Sequence, residues 1–129
     1  MKITTHFDID EFKCSDGSDM PLEVFNNVVS VAENLEVLRA HFNAPIQINS
    51  AYRSATHNRS VGGAPTSQHL SGRAADVVIS GVDPNDVADA IEFLIEVGLM
   101  KEGGVGRYDT FTHYDIRGTK ARWDYRSKE

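Results

Sequence analysis

The sequence predicts a single α+β domain over residues 1–129, a small antiparallel sheet flanked by two main helices. Three observations predict it. Two stretches carry apolar residues at spacings of three and four, the stripe of a helix buried along one side. Several short runs rich in β-branched residues are bounded by Gly, Pro, Ser or Asn, as strands are. Finally, 129 residues are enough for one real core, and no repeat, linker or low-complexity segment divides the chain.

Taken in order, "MKITTHFDIDEFKCSDGSDM" is mixed, with Phe7, Ile9 and Phe12 expected to tuck onto the body and "CSDGSDM" to form a loop. Pro21 opens a helix in keeping with proline's place in the first turn, and Val24, Val28, Val31, Leu35 and Leu38 form its stripe to about Ala40. "PIQINSAY", from Pro45, alternates β-branched residues and reads as a strand. "RSATHNRSVGGAPTSQHLSG" has no periodicity and reads as a long loop, which in so small a domain is usually functional or disordered. "RAADVVIS" is a second strand. Val82-Asp83-Pro84 leads into a second helix with Val87, Ala90, Ile91, Leu94 and Ile95 on one face and Gly98 as its stop. "GGVGRY" and "FTHYDIRG" read as two short strands, an antiparallel pair through "YDTF".

The hydrophobic fraction of 40%, charged fraction of 25% and net charge of -6 belong to an ordinary globular protein. Without a run of Lys or Arg, a broad nucleic-acid footprint is not expected. No stretch has the length of a membrane span, and none reads as an export leader. The expectation is a monomer acting in the cytoplasm where it is made, or leaving by a route its own sequence does not encode. Cys14 is the only cysteine, so an intramolecular disulfide and a cysteine-rich zinc site are both excluded. A metal would be held by carboxylates and by some of His6, His41, His57, His69 and His113.

Asp76 is the anomaly. It interrupts "AADVVI", and a carboxylate among Ala74, Ala75, Val77, Val78 and Ile79 is costly to bury unless a cation or several donors meet it. In the last strand, a period of two puts Thr112, Tyr114 and Ile116 on one face and His113, Asp115 and Arg117 on the other. That ionisable face is either a solvated outer surface or part of a site. His69, Asp76 and His113 together supply two imidazoles and a carboxylate, a set that suits zinc with a fourth position left for water. The plainer alternatives are an ordinary loop histidine at 69 and, at 76, a carboxylate capping backbone N–H groups. The H-E-x-x-H helix of many metalloproteases is absent.

"SQHLSGRAAD" has the form S-x-H-x-x-G-x-A-x-D and resembles the zinc D-Ala-D-Ala carboxypeptidase family. That family includes vancomycin-resistance dipeptidases and phage endolysins, and shares its fold with the Hedgehog signalling domain. "INSAYRSATHNRSVGGAPTSQHLSGRAADVVI", "GGVGRYDTFTHYDIRG" and "HFDIDEFKCSDG" extend the resemblance over nearly the whole chain. It implies Zn2+ held by His69, Asp76 and His113, and Arg53 near the scissile carbonyl, where a guanidinium can stabilise an oxyanion. Arg53 could instead be a structural ion pair. Ser67 is implied as a substrate-backbone contact. His57 and Asn58 are expected to pin the loop by hydrogen bonds, and Gly62, Gly63 and Gly72 suit tight turns or close backbone approach.

One departure concerns the general base. Several relatives carry Glu or Asp three residues before the last histidine ligand, where this chain has Thr110. Asp115 and Asp109 are the candidate replacements, and Asp115 could equally orient a ligand. The implied function is a zinc peptidase cutting stem peptides or cross-bridges of bacterial peptidoglycan, as carboxypeptidase or endopeptidase. A phage enzyme released at lysis or carried in the virion fits the family's habit. The alternative is a non-catalytic zinc-containing binding module, or a virion structural module, on the same scaffold.

Overall fold

The computed structural model describes residues 1–128. Its first helical element is a 3₁₀ turn at Ile9–Phe12, held by a capping box in which Asp8 accepts from the Asp10 N–H and Glu11 reaches back to Asp8. Helix α1 spans Leu22–Phe42, with Pro21 as its N-cap rather than its first helical residue. Asn43 ends it in the left-handed region at φ 48°. Strand β1 is Gln47–Ser50, helix α2 Ala55–Ser60, and a second 3₁₀ turn covers Gln68–Ser71. Strand β2 (Ala74–Val78) leads to α3 (Pro84–Glu96), where Asp83 caps through the Asn85 N–H and Pro84 supplies a preset φ. Strands β3 (Gly104–Arg107), β4 (Thr112–Asp115) and β5 (Ala121–Asp124) complete the chain. No helix among the described residues is long and apolar enough to cross a membrane.

Two sequence expectations need correction here. The segment read as a structureless loop contains α2 and the second 3₁₀ turn. Both are too short to show a periodicity, and the serines that made the segment look irregular are their caps. Ser54 Oγ accepts from the His57 N–H, and Ser67 Oγ from the His69 N–H. The second correction concerns the sheet, whose order is β1-β2-β4-β3-β5. Its first three pairings are antiparallel as expected, including β3 with β4, but β5 was not expected and pairs parallel with β3. After β4 the chain reverses through Gly118, at φ 91°, and passes across β3 to its far edge. "ARWD" carries no alternation by which this strand could be recognised.

The sheet has a core face and a site face. Thr112 Oγ1 donates to the Pro84 carbonyl at 2.7 Å, so the Thr112–Tyr114 side of β4 looks towards α3. On that side Ala75, Val77, Val105 and Tyr114 pack with Val28, Val31 and Leu35 of α1 and with Ile91 and Leu94 of α3. Each buried Val, Leu or Ile side chain among them stabilises by about 1.5–3 kcal/mol. Phe7 and Phe12, in edge contact at 5.8 Å, join this core as expected.

On the opposite face, one row of paired residues crosses all five strands: Ser50, Asp76, His113, Gly106 and Trp123. Gly106 is what lets this row close. A Cβ there would run into the Trp123 indole, which lies across β3 and reaches the His113 ring at 4.9 Å between centroids. Gly106→Ala should therefore displace the indole and cost about 1–3 kcal/mol, as overpacking does. Trp123 is the only tryptophan. Its emission in the folded variant, read beside urea unfolding, should shift from that of the parent.

Candidate metal centre

Asp76 is 7% exposed, His69 3% and His113 6%, and Asp115 is fully buried, so of the ionisable face on the last predicted strand only Arg117 reaches solvent. The second 3₁₀ turn brings His69 over β2, where its Nε2 lies 3.2 Å from Asp76 Oδ1. Across the β2–β4 ladder, His113 Nδ1 approaches the same oxygen at 3.1 Å. One candidate ligand atom from each residue falls within a mutual span of 4.8 Å.

The remaining nitrogens decide the tautomers. His69 Nδ1 is 2.6 Å from the Ala51 carbonyl oxygen, which can only accept, so that nitrogen carries the proton. His113 Nε2 is 2.7 Å from Asp115 Oδ2 and carries its proton by the same argument. Neutral imidazoles so arranged present lone pairs at His69 Nε2 and His113 Nδ1, both facing the Asp76 carboxylate. Three acceptors directed at one another require a positive charge between them, from a proton or a cation. The residues therefore fit a zinc ion: two neutral nitrogens, one carboxylate, and a partner holding each ring from behind.

Asp115 is fully buried and saturated. It accepts from the Gly104 N–H, the Arg117 N–H, the Arg117 guanidinium through Nε and Nη2, and His113. Gly104 leaves the space this carboxylate occupies, since a Cβ there would meet it. Asp109 lies elsewhere: it is exposed, accepts from the backbone and hydroxyl of Ser127, and lines a different depression with Asp83 and Asp124. Thr110 is exposed beside it. Arg53 comes to the site, donating to Ser50 Oγ at 3.1 Å and more loosely to Asn58 Oδ1 and Asp76 Oδ2 at 3.4 Å. Asn58 in turn donates to the Ala64 carbonyl and so pins the segment after α2.

These groups open onto a cleft of about 640 Å³. Arg53, Ser67, His69, Asp76 and His113 line it together with Gly62 and Gly63, and among the described residues Asp76 is the only carboxylate that lines it. The far wall is one that sequence reading missed: Tyr108, Phe111, Trp123 and Tyr125, with Arg117 whose guanidinium lies 5.4 Å from the Trp123 ring. The lone tryptophan was the available signal, but it belongs to the unrecognised β5.

A second group of ligand-type side chains, Cys14, Asp16 and His57, also converges. Hydrogen bonds account for each of them. The Ser54 N–H donates to Cys14 Sγ, Ser54 Oγ donates to Asp16, and Ser15 Oγ pairs with His57 Nε2. Together they fasten the N-terminal segment to the start of α2.

In the metal-free site a proton takes the place of the cation: burial opposes ionisation of Asp76, but hydrogen bonding across to His113 and His69 outweighs it and holds the carboxyl well below its ordinary range. Burial likewise opposes ionisation of Asp115, and His113 and Arg117 overcome it. For His113 burial disfavours the cation, yet its bonds to Asp115 and Asp76 raise its pKa. The two carboxylates thus stabilise the metal-free fold above their unfolded value of about 4, and this is lost as pH falls. His113 stabilises it below its unfolded value of about 6.5, and this is lost as pH rises through the higher folded value. The thermal midpoint of metal-free protein should accordingly be highest between about pH 4 and 6.5, which calorimetry across a pH series would check.

No curated protein matches this chain. A model of the Peptidase M15 family matches residues 5–115, a span that includes all three convergent side chains and ends at the aspartate behind His113. By that match the chain belongs to the Peptidase M15 family, the zinc D-Ala-D-Ala carboxypeptidase type.

Proposed function

We propose that this peptidase hydrolyses peptide bonds in the stem peptides or cross-bridges of bacterial peptidoglycan, with zinc held by His69, Asp76 and His113. The observation that carries this reading is the set of three inward-facing acceptors, each imidazole fixed from behind, at the floor of an open cleft. Zinc bound there would lower the pKa of its water to about 7 and polarise a carbonyl. Every other contribution comes from the chain. Ala51 and Asp115 fix the ring orientations. Ser50 and Asn58 hold the Arg53 guanidinium at the cleft, where it can meet charge developing on a carbonyl oxygen. Ser67 lines the same cleft, in reach of a substrate backbone.

For Asp115 the geometry favours the orienting role over that of general base. Its oxygens are fully engaged, and it meets the nitrogen of His113 that points away from Asp76. Asp109 is committed to Ser127 outside the cleft. Asp115→Asn should weaken zinc binding by about 10- to 100-fold. Asp109→Asn should leave it unchanged, as competition against a chromophoric chelator would show. A second reading, a zinc-containing binding module without turnover, is favoured by the lack, among the described residues, of any lining carboxylate besides Asp76.

Mass spectrometry separates the two. Purified peptidoglycan and a D-Ala-D-Ala-ended pentapeptide are incubated with the protein alone, with a chelator, and with a chelator followed by restored zinc. Peptidase action predicts fragments that vanish and return with zinc, their masses naming the bond. Intact substrates from protein shown to hold one zinc would establish the binding module instead.

A further inference from the structure

Tyr108 directly follows β3 and lines the same cleft as His69, Asp76 and His113. Its ring is fixed on two sides, stacked on Phe111 at 4.2 Å and in edge contact with Tyr125 at 5.7 Å. Trp123 Nε1 donates to its hydroxyl oxygen at 2.9 Å. An indole N–H cannot accept, so the Tyr108 proton must be directed away from Trp123. Among the described residues no acceptor takes it. Because the same indole packs against His113 at 4.9 Å, the hydroxyl is registered to the metal centre through two rigid rings. Ser67 Oγ already caps the second 3₁₀ turn, and the Arg53 guanidinium is divided among Ser50, Asn58 and Asp76. Tyr108 is thus an oriented, neutral donor in the cleft with its proton uncommitted.

We propose that Tyr108 Oη donates a hydrogen bond to the scissile-carbonyl oxygen as negative charge builds on it in the transition state, and not in the bound peptide beforehand. The proposal rests on the peptidase reading above. When water adds to the carbonyl carbon, the carbonyl π pair moves onto oxygen and the water gives up a proton to solvent. Tyr108 keeps its own proton and only hydrogen-bonds. As the C–N bond breaks, the pair re-forms C=O and the departing amine takes up a proton. An aimed donor at that oxygen acts by electrostatic preorganisation, worth about 10²–10³ in kcat per donor in a comparable site.

The test is Tyr108→Phe, which removes the hydroxyl and keeps the stacked ring. On the peptide that the wild type cleaves, kcat should fall by about 10²-fold or more, while KM and zinc content stay unchanged. The second readout is binding, measured by calorimetry with two probes. An uncleavable phosphinate isostere of D-Ala-D-Ala, tetrahedral at the scissile position, should bind the variant at least tenfold more weakly than wild type, about 1.4 kcal/mol. The uncut peptide should bind both metal-free proteins alike. Wild-type kcat in the variant, or equal phosphinate affinity, overturns the assignment of Tyr108. A wild type that binds the phosphinate without cleaving peptide overturns the peptidase reading and with it the role at a scissile carbonyl, leaving Tyr108 at most a donor to a tetrahedral ligand. A wild type that neither cleaves nor binds overturns both.

Discussion

Three acceptor atoms directed at one point, Asp76 Oδ1, His69 Nε2 and His113 Nδ1, are the constraint on which this structure turns. Left without a positive charge they would repel, in a setting where water does little to screen them. The surrounding architecture makes the arrangement tenable. The Ala51 carbonyl and the Asp115 carboxylate consume the second nitrogen of each ring, so the lone pairs cannot turn elsewhere. Asp115 is itself made tenable, against the cost of its burial, by hydrogen bonds from Gly104, Arg117 and His113. Beyond these three atoms, no buried side-chain nitrogen or oxygen among the described residues lacks a partner. Such satisfaction is what a polar cluster must reach to be kept in a folded interior.

The division of labour between the two sheet faces follows from alternation. Tyr114 sends its ring into the core and its hydroxyl to the Lys101 carbonyl, while its neighbours His113 and Asp115 lie on the site face, His113 lining the cleft and Asp115 buried behind it. A shift of one residue in register would bury the ionisable set under α3 and expose the apolar one. The apolar packing of α1 and α3 on one face therefore holds the metal-site geometry on the other. Glycines 104 and 106, two apart on β3, leave the site face free for a carboxylate and an indole respectively. A side chain at either position would fill the room that the centre and its aromatic wall occupy.

The segment between β1 and β2 links the cleft to the rest of the chain. Its caps, Ser54 and Ser67, place α2 and the turn that presents His69. Through Ser54 and Ser15 the N-terminal segment is fastened to α2, and through Asn58 the α2 residues reach Arg53. The N-terminal segment, α2 and the cleft arginine are thus connected by hydrogen bonds rather than by apolar packing, a connection that leaves no periodic trace in sequence.

The amino-acid sequence by itself determined the two long helices, four of the strands, and the residues that meet at the centre. Apolar stripes betray a helix because one side must be buried, and a lone Asp in an apolar strand betrays a site because its burial demands compensation. The spacing of Gly104 and Gly106 was also present in the sequence, but its meaning depends on which strands flank β3. Tertiary structure alone decided that. It placed β5 parallel beside β3, brought Trp123 over Gly106 to His113, and so built the wall that carries Tyr108. It also separated the two aspartates that the sequence offered as candidate bases, committing Asp115 to the back of His113 and Asp109 to Ser127. Neighbouring positions along a chain share a name and a charge, but only pairing and register decide which atom of a side chain faces which partner.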